Sequence, residues 1–253
     1  MEISIKAEEV AHFLQLPITN SILLTLLVSF FLIIGSITIK RGIAIVPSKI
    51  QNVVELIFDS LINFLAEILG SLQLAQKYFP FVATIFIFIL INNWFGILPV
   101  LGTVGVFHEG EHGSILIPFF RSAASDINTT LALSIISVFV THIFGVSALG
   151  IVQYGKKYLN FSGIIPFYVG ILELIAEVAK MISFSFRLFG NIFAGEVLLI
   201  IIASLAPVLV PVPFLGLEIF VGFIQALVFT MLTTVFIKLA ITPHEHEGEH
   251  AHQ

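Results

Sequence analysis

The sequence predicts an all-α membrane protein with five membrane-embedded helices and one amphipathic helix on the cytoplasmic surface. The last two long helices are expected to pair as a steeply inclined hairpin. Three observations predict this. Hydrophobic residues make up 58% of the 253 residues and charged residues only 11%, against about 25% charged in soluble domains. Twenty-six Phe beside eleven Lys plus Arg leave too little polar surface to cover a soluble globule of this size. Long uncharged runs alternate with short polar segments, the pattern of repeated membrane crossing. A soluble enzyme and a disordered chain are thereby excluded, and a net charge of −5 argues against nucleic-acid binding. The absence of Cys removes disulfides, thiolate metal sites, iron–sulfur clusters and thiol nucleophiles.

The chain reads as one membrane domain, 1–253. Residues 1–20 carry Glu2, Lys6, Glu8, Glu9 and His12. They lack the basic start and small-residue cleavage site of a signal peptide, so they read as an outer lead-in. The run 21–39 is uncharged and long enough for a hydrocarbon core of ~30 Å. Residues 47–69 differ, because Ile50, Val53, Val54, Ile57, Leu61, Leu65 and Ile68 recur at helical spacing. Gln51, Asn52, Glu55, Asp59, Asn63 and Glu67 fill the other face. A helix that binds anionic headgroups is rich in Lys and Arg; an acidic face points instead to docking another protein.

Two further spans are expected at 79–107 and 127–154, then the hairpin 166–206 and 214–241, then a polar tail, 242–253. Basic residues follow the first span (Lys40, Arg41, Lys49) and the third (Lys156, Lys157), and Lys238 lies near the end of the fifth. The opposite loops hold Glu109, Glu111 and Arg121. The positive-inside bias then sets the N-terminus outside and the C-terminus in the cytoplasm, as five crossings require. The His/Glu-rich stretches Phe107–Ser114 and His244–Gln253 read as solvated polar ends in preference to loose metal sites.

The element 166–206 is ~60 Å long if helical, about twice what a perpendicular crossing needs. Ordinary tilt of about 20° does not absorb that excess. Either part of it protrudes into water or it inclines as a hairpin, and the uncharged turn Pro207–Pro213 favours the hairpin. At about 100° per residue, Glu173, Glu177, Lys180, Ser183 and Asn191 fall within about 80° of Arg187, in one polar stripe. Glu196 falls near the opposite face. On the last helix Glu218 and Gln225 share a face, being seven apart.

A charge at the bilayer centre costs at least ~2.5–3.5 kcal/mol. Lys180 and Lys238 are near enough to the interface for snorkelling to account for them. Arg187 is about 20 residues from either end of its element, and snorkelling accounts for it poorly. Two readings stand for Glu196 and Glu218, solvated interfacial groups or pathway residues, and two for Asp126, an N-cap or a pathway residue. A guanidinium with pKa above ~12 cannot relay a proton, but it can hold a nearby carboxylate ionised. Its neighbours three and four residues away are Gly190, Asn191, Phe184 and Ser183. None is an acid, so the partner carboxylate is expected on another subunit.

Phe186-Arg187-Leu188-Phe189-Gly190-Asn191 followed by Ala194-Gly195-Glu196 resembles the signature of subunit a of F-type ATP synthases. Asp126-Ile127-Asn128-Thr129-Thr130-Leu131, Lys180 seven residues before the Arg, and Ile224-Gln225-Ala226-Leu227-Val228-Phe229 follow the same pattern. The resemblance implies a proton-translocating stator in which two half-channels face a ring of c subunits. Arg187 would face the ring, strip the proton from an arriving carboxyl and prevent short-circuiting. Glu196, Glu218, Gln225 and Asp126 would line the outer half-channel; Glu173, Glu177, Ser183 and Asn191 the cytoplasmic one. Many family members carry a Glu and a His where this chain has Glu196 and Glu218, and the expectation is a carboxyl pair sharing a proton.

Implied partners are the c ring, the lipid bilayer and the peripheral-stalk b subunits, the last through the Glu55, Asp59 and Glu67 face. The implied location is a bacterial plasma (inner) membrane. No cofactor, metal or nucleic acid is expected. With no G-x-x-x-x-G-K-[ST] loop, no nucleotide is expected either, so the chain would serve ATP synthesis without catalysing it. The competing reading is a stand-alone secondary transporter or ion channel, which lacks support from an internal repeat. An intramembrane enzyme or haem protein is weaker still: His142 is the only His well inside a span, and neither HExxH nor GxSxG occurs.

Overall fold

Helix boundaries follow from capping residues and breakers. The computed structural model describes residues 9–13, 16–98, 105–110, 113–158, 163–206 and 209–243. Strands β1 (Glu9–Phe13) and β2 (Leu16–Thr19) form an antiparallel hairpin, followed at once by α1 (Asn20–Gly42), whose N-cap is Thr19. Lys40 and Arg41 occupy the last turn of α1, where the helix dipole favours cations. α2 (Lys49–Leu69) starts at an N-cap, Ser48, and ends at Gly70 with φ 79°, the left-handed stop that glycine adopts freely. α3 (Leu72–Ile97) follows. A second hairpin, β3 (Gly105–Gly110) with β4 (Gly113–Pro118), precedes a 3-10 turn, Ala123–Ser125. Then come α4 (Ile127–Leu149), α5 (Ile151–Tyr158), α6 (Ile164–Leu205) and α7 (Pro211–Ile241).

The fold is the expected all-α membrane architecture with two short β-hairpins added. α1, α3, α4, α6 and α7 are each long and apolar enough to cross a membrane. Three expected ranges are corrected. The span expected at 79–107 is a helix over 72–97, reaching back through Lys77 and stopping at Leu98, because Pro99 disfavours helical backbone at the residue before it. The span expected at 127–154 breaks at Gly150, φ 83°, and α5 restarts beyond it. The last helix begins at Pro211 rather than 214, with proline in its first turn, where a missing N–H removes no bond. The tail 244–253, residues 1–8, Glu111 and His112 lie outside the described residues.

α3 and α7 pack together, as do α4 with α6 and α4 with α7. The core holds Tyr78, Val82, Ile89, Leu188, Ala226, Phe229 and Ile237, and Phe184 lies against both Phe229 and Phe236. Hydrogen bonds join the helices inside this apolar setting: Ser137 with Thr233 at 2.9 Å, Thr130 with Ser185 at 3.0 Å, and Asn93 Nδ2 donating to Gly222 O at 3.1 Å. Small hydroxyl and amide side chains commonly hold membrane helices together in this way. α1 buries only its first half, through Leu24 and Val28, and exposes Leu26, Phe30, Phe31, Ile33 and Ile37, a surface suited to acyl chains.

α2 buries Leu61, Leu65 and Leu69 in the same cluster as Ala75, Tyr78 and Val82 of α3. Glu55, Asp59 and Glu67 remain exposed on it. Lys238 of α7, expected to snorkel, instead donates to Ile68 O at 2.7 Å, so a carbonyl left unpaired at the end of α2 gains a charged donor. α6 runs unbroken for 42 residues, ~63 Å at ~1.5 Å per residue. α7 returns alongside it, the two forming the expected helical hairpin.

Candidate functional site

Arg187 stands 23 residues after Ile164 and 18 before Leu205 (187 − 164 and 205 − 187) in the unbroken α6, about 35 and 27 Å from its ends. Its side chain is exposed on the helix surface. The hydrogen bond it makes runs from Nη2 to Ser183 Oγ, 3.4 Å. Among the described residues it forms no ion pair. Beside it, between α6 and α7, is a cleft of about 300 Å³ walled by Ala176, Lys180, Ser183, Phe184, Arg187 and Phe236. Alanines at 176 and 179 keep this face low, so a neighbouring helix can approach the guanidinium closely.

The polar stripe expected along α6 divides in two. Asn191, expected with Glu173 and Glu177, donates from Nδ2 to Gln225 Oε1 at 2.6 Å, which joins it to a residue expected on the other pathway. Glu173 and Glu177 pair with lysines and not with Arg187. Glu173 pairs with Lys157 of α5 at 2.7 Å, and Glu177 with Lys180 at 2.8 Å. The helical wheel located them on the correct helix, but α5 supplies their partners, and the break that creates α5 was not read from the sequence.

Toward the Asp126 end lies a second cluster. Glu218 is 6% exposed, with its carboxyl against Gly195, where an added Cβ would collide with it. Glu196, adjacent in sequence, has Oε1 3.5 Å from Arg121 Nε. Glu196 and Glu218 lie near enough to interact electrostatically. Glu218 itself has no ion-pair partner among the described residues. Arg121 also donates to Ser125 Oγ at 3.2 Å and stacks its guanidinium 6.0 Å from the Phe193 ring centroid. Sequence reasoning missed Arg121 as a site residue; its signal was that it is the one Lys or Arg between the second and third spans.

Asp126 is 4% exposed. Its Oδ1 accepts from Asn128 N at 3.0 Å, the expected cap, and its Oδ2 accepts from Ser21 Oγ of α1 at 2.7 Å. Buried polar atoms without a protein partner gather on this side: both amide atoms of Asn20, Asn93 Oδ1, Ser122 Oγ, Glu196 Oε2 and Gln225 Nε2. Native proteins leave such atoms unpaired rarely, and usually satisfy them with water.

At the opposite end, His142 of α4 faces Glu177. Nδ1 is 2.7 Å from Tyr154 Oη, Tyr154 Oη is 3.4 Å from Tyr158 Oη, and Tyr158 donates to Glu177 Oε1 at 3.4 Å. Burial pushes both phenols above the ordinary tyrosine range, so both remain protonated donors at neutral pH. His142, Lys157, Tyr154 and Tyr158 were not expected as site residues. A polar ring inside a span was the available signal for His142.

Comparison with known proteins identifies the family. The family model described as ATP synthase A chain matches residues 18–238. An ATP synthase subunit a from Geotalea daltonii is 34% identical over 87% of this chain and 86% of that protein. One from Helicobacter hepaticus is 34% identical over 87% and 89%, and one from Moorella thermoacetica 30% identical over 95% and 99%. With five apolar helices and a family model that matches nearly its whole length, the chain belongs to the ATP synthase A chain family, the multi-pass proton-translocating membrane subunits of F-type ATP synthases.

Proposed function

We propose that this chain is the stator against which a ring of c subunits turns, with its N-terminus outside and its C-terminus in the cytoplasm of a bacterial plasma membrane. The observation that carries the reading is Arg187, exposed midway along α6 with a hydroxyl contact and no carboxylate partner among the described residues. A permanent cation at membrane depth is stable only with a counter-charge, and a ring carboxylate provides one in passing.

During synthesis a protonated ring carboxyl reaches the cleft beside Arg187. The guanidinium favours the ionised form, the proton leaves toward the cytoplasm, and the carboxylate pairs with Arg187 until it moves on. It is reprotonated from the outer side, through Asp126, Glu196, Glu218, Gln225 and Asn191. The unpaired buried polar atoms on that side suit a hydrated path. Arg121 compensates Glu196, so of the two adjacent acids Glu218 carries the mobile proton. Ser183 orients Arg187, and Glu173 and Glu177 belong to the cytoplasmic half-channel with its basic partners. Each proton crossing 100 mV releases ~2.3 kcal/mol, so several are summed by rotation for each ATP. The exposed acidic face of α2 is the docking face for peripheral-stalk b subunits.

The test is Arg187→Ala in the assembled complex. Gradient-driven ATP synthesis in inverted vesicles should fall to background while ATP hydrolysis by the catalytic sector persists. Retained coupled synthesis would overturn the assignment.

A further inference from the structure

We propose that His142 is a proton-exchanging residue of the cytoplasmic half-channel, taking protons from Glu177 at Nε2 and held in register by Tyr154. The proposal rests on the half-channel reading above and adds to it a residue on α4, away from the hairpin that carries Arg187.

The placement comes from two adjoining cavities. The cleft beside Arg187 and a smaller cavity of about 10 Å³, the size of one water, share Lys180 and Phe236 as walls. The smaller one is lined by His142, Tyr154, Lys157 and Glu177 as well. What separates the two cavities is thus one lysine and one phenylalanine, not a continuous apolar layer. The Lys180 ammonium lies 4.6 Å from the Phe236 ring centroid and 2.8 Å from Glu177, so the shared wall is itself charged on one side.

The groups facing His142 divide cleanly. From α5 come Tyr154, Tyr158 and Lys157; from α6 come Glu177 and Lys180, with Glu173 behind Lys157. α7 contributes only Phe236, Leu239 and Ala240 to the cavity. Each acid here has a lysine: Glu173 with Lys157, Glu177 with Lys180. The imidazole shares Glu177 with Lys180, its Nε2 lying 3.8 Å from the carboxyl oxygen that Lys180 does not hold, and imidazole is the side chain suited to exchanging protons near neutral pH.

The step balances on one nitrogen. In the neutral ring, Nδ1–H donates to Tyr154 Oη at 2.7 Å, which leaves the Nε2 lone pair toward Glu177 Oε2, 3.8 Å away. That gap exceeds a direct hydrogen bond, and transfer occurs when the two side chains draw together by about half an ångström or more. A proton on Glu177 passes to Nε2, the carboxyl O–H breaking as the N–H forms. The imidazolium then releases the same Nε2 proton to cytoplasmic water and returns to its starting tautomer. Tyr154 gives up no proton in this cycle; it is a positioning residue that fixes the ring and its tautomer.

The experiment measures passive proton flux through inverted vesicles stripped of the catalytic sector, at fixed lumenal pH and varied external pH. Wild-type flux should show a titration step that belongs to the imidazole as external pH is varied. His142→Asn keeps a donor for Tyr154 but cannot titrate. It should lose the step and lower the flux by on the order of tenfold, water replacing part of what a positioned proton carrier contributes. Tyr154→Phe keeps the imidazole and removes its anchor, so the step should remain but move. A His142→Asn profile superimposable on wild type, or a Tyr154→Phe step that does not move, would overturn the proposal. Wild-type vesicles that carry no proton flux at all would instead overturn the half-channel reading beneath it.

Discussion

Arg121 Nε lies 3.5 Å from Glu196 Oε1, a contact that ties the segment before α4 to the second half of α6. One oxygen of Glu196 is buried without a protein partner, so the guanidinium supplies most of the compensation this carboxylate receives. Removing one partner of a fully buried pair costs about 3–5 kcal/mol. Glu196 keeps 31% of its side chain exposed, and solvent screening discounts the cost to about 1–2 kcal/mol. Arg121→Ala should therefore slow ATP-driven proton pumping, read by quenching of a pH-sensitive dye, more than Glu196→Gln does. Adding Glu196→Gln to Arg121→Ala should recover much of the rate. Simple addition of the two defects would count against the pair.

Gly195 gives the carboxyl of Glu218 its place, since a methyl there would collide with both oxygens. Overpacking of this kind costs about 1–3 kcal/mol. Gly195→Ala should leave the complex assembled and lower coupled pumping by about tenfold, the equivalent of ~1.4 kcal/mol on the barrier. Glu218→Asp, shorter by one methylene, should restore part of that loss in the Gly195→Ala background. A double variant slower than either single one would show that the collision is not the cause.

The bond from Asn191 to Gln225, 2.6 Å, holds α6 to α7 one turn beyond Arg187. A neutral amide pair contributes about 0.5–1.5 kcal/mol. Asn191→Ala and Gln225→Ala should each lower the midpoint of detergent-induced complex dissociation. Their double-mutant cycle should give a coupling of about 0.5–1 kcal/mol. A coupling of zero would mean that the two amides act separately.

The five apolar spans and the position of Arg187 were legible because hydrophobic run length and helical phase are local properties of a sequence. The wheel correctly put Glu218 and Gln225 on one face of α7, and both are buried. It failed where a neighbour decides. Asn191 and Glu177 share a phase on α6, yet one meets α7 and the other meets α4 and α5. Nothing along the chain announces that Arg121 meets Glu196, 75 positions later (196 − 121), because that contact depends on how three segments stack. Gly150 hid α5 in the same way: an uncharged run continues through it in sequence, while its positive φ turns the backbone. The β-hairpins escaped notice because their turns lack the short Asn-Gly or Asp-Gly signal.

The ammonium of Lys238 grips the carbonyl of Ile68 at 2.7 Å, and this has a mechanical meaning for a part that must stay still while its counterpart spins. If the hairpin faces a turning ring as proposed, a tangential push on it arrives at the foot of α7 and is handed to α2 through that clasp and the leucine seam beside it. On that reading the recoil of the motor and the grip of its mounting meet where α7 is fastened to α2, and loosening that joint would let the housing twist along with the wheel.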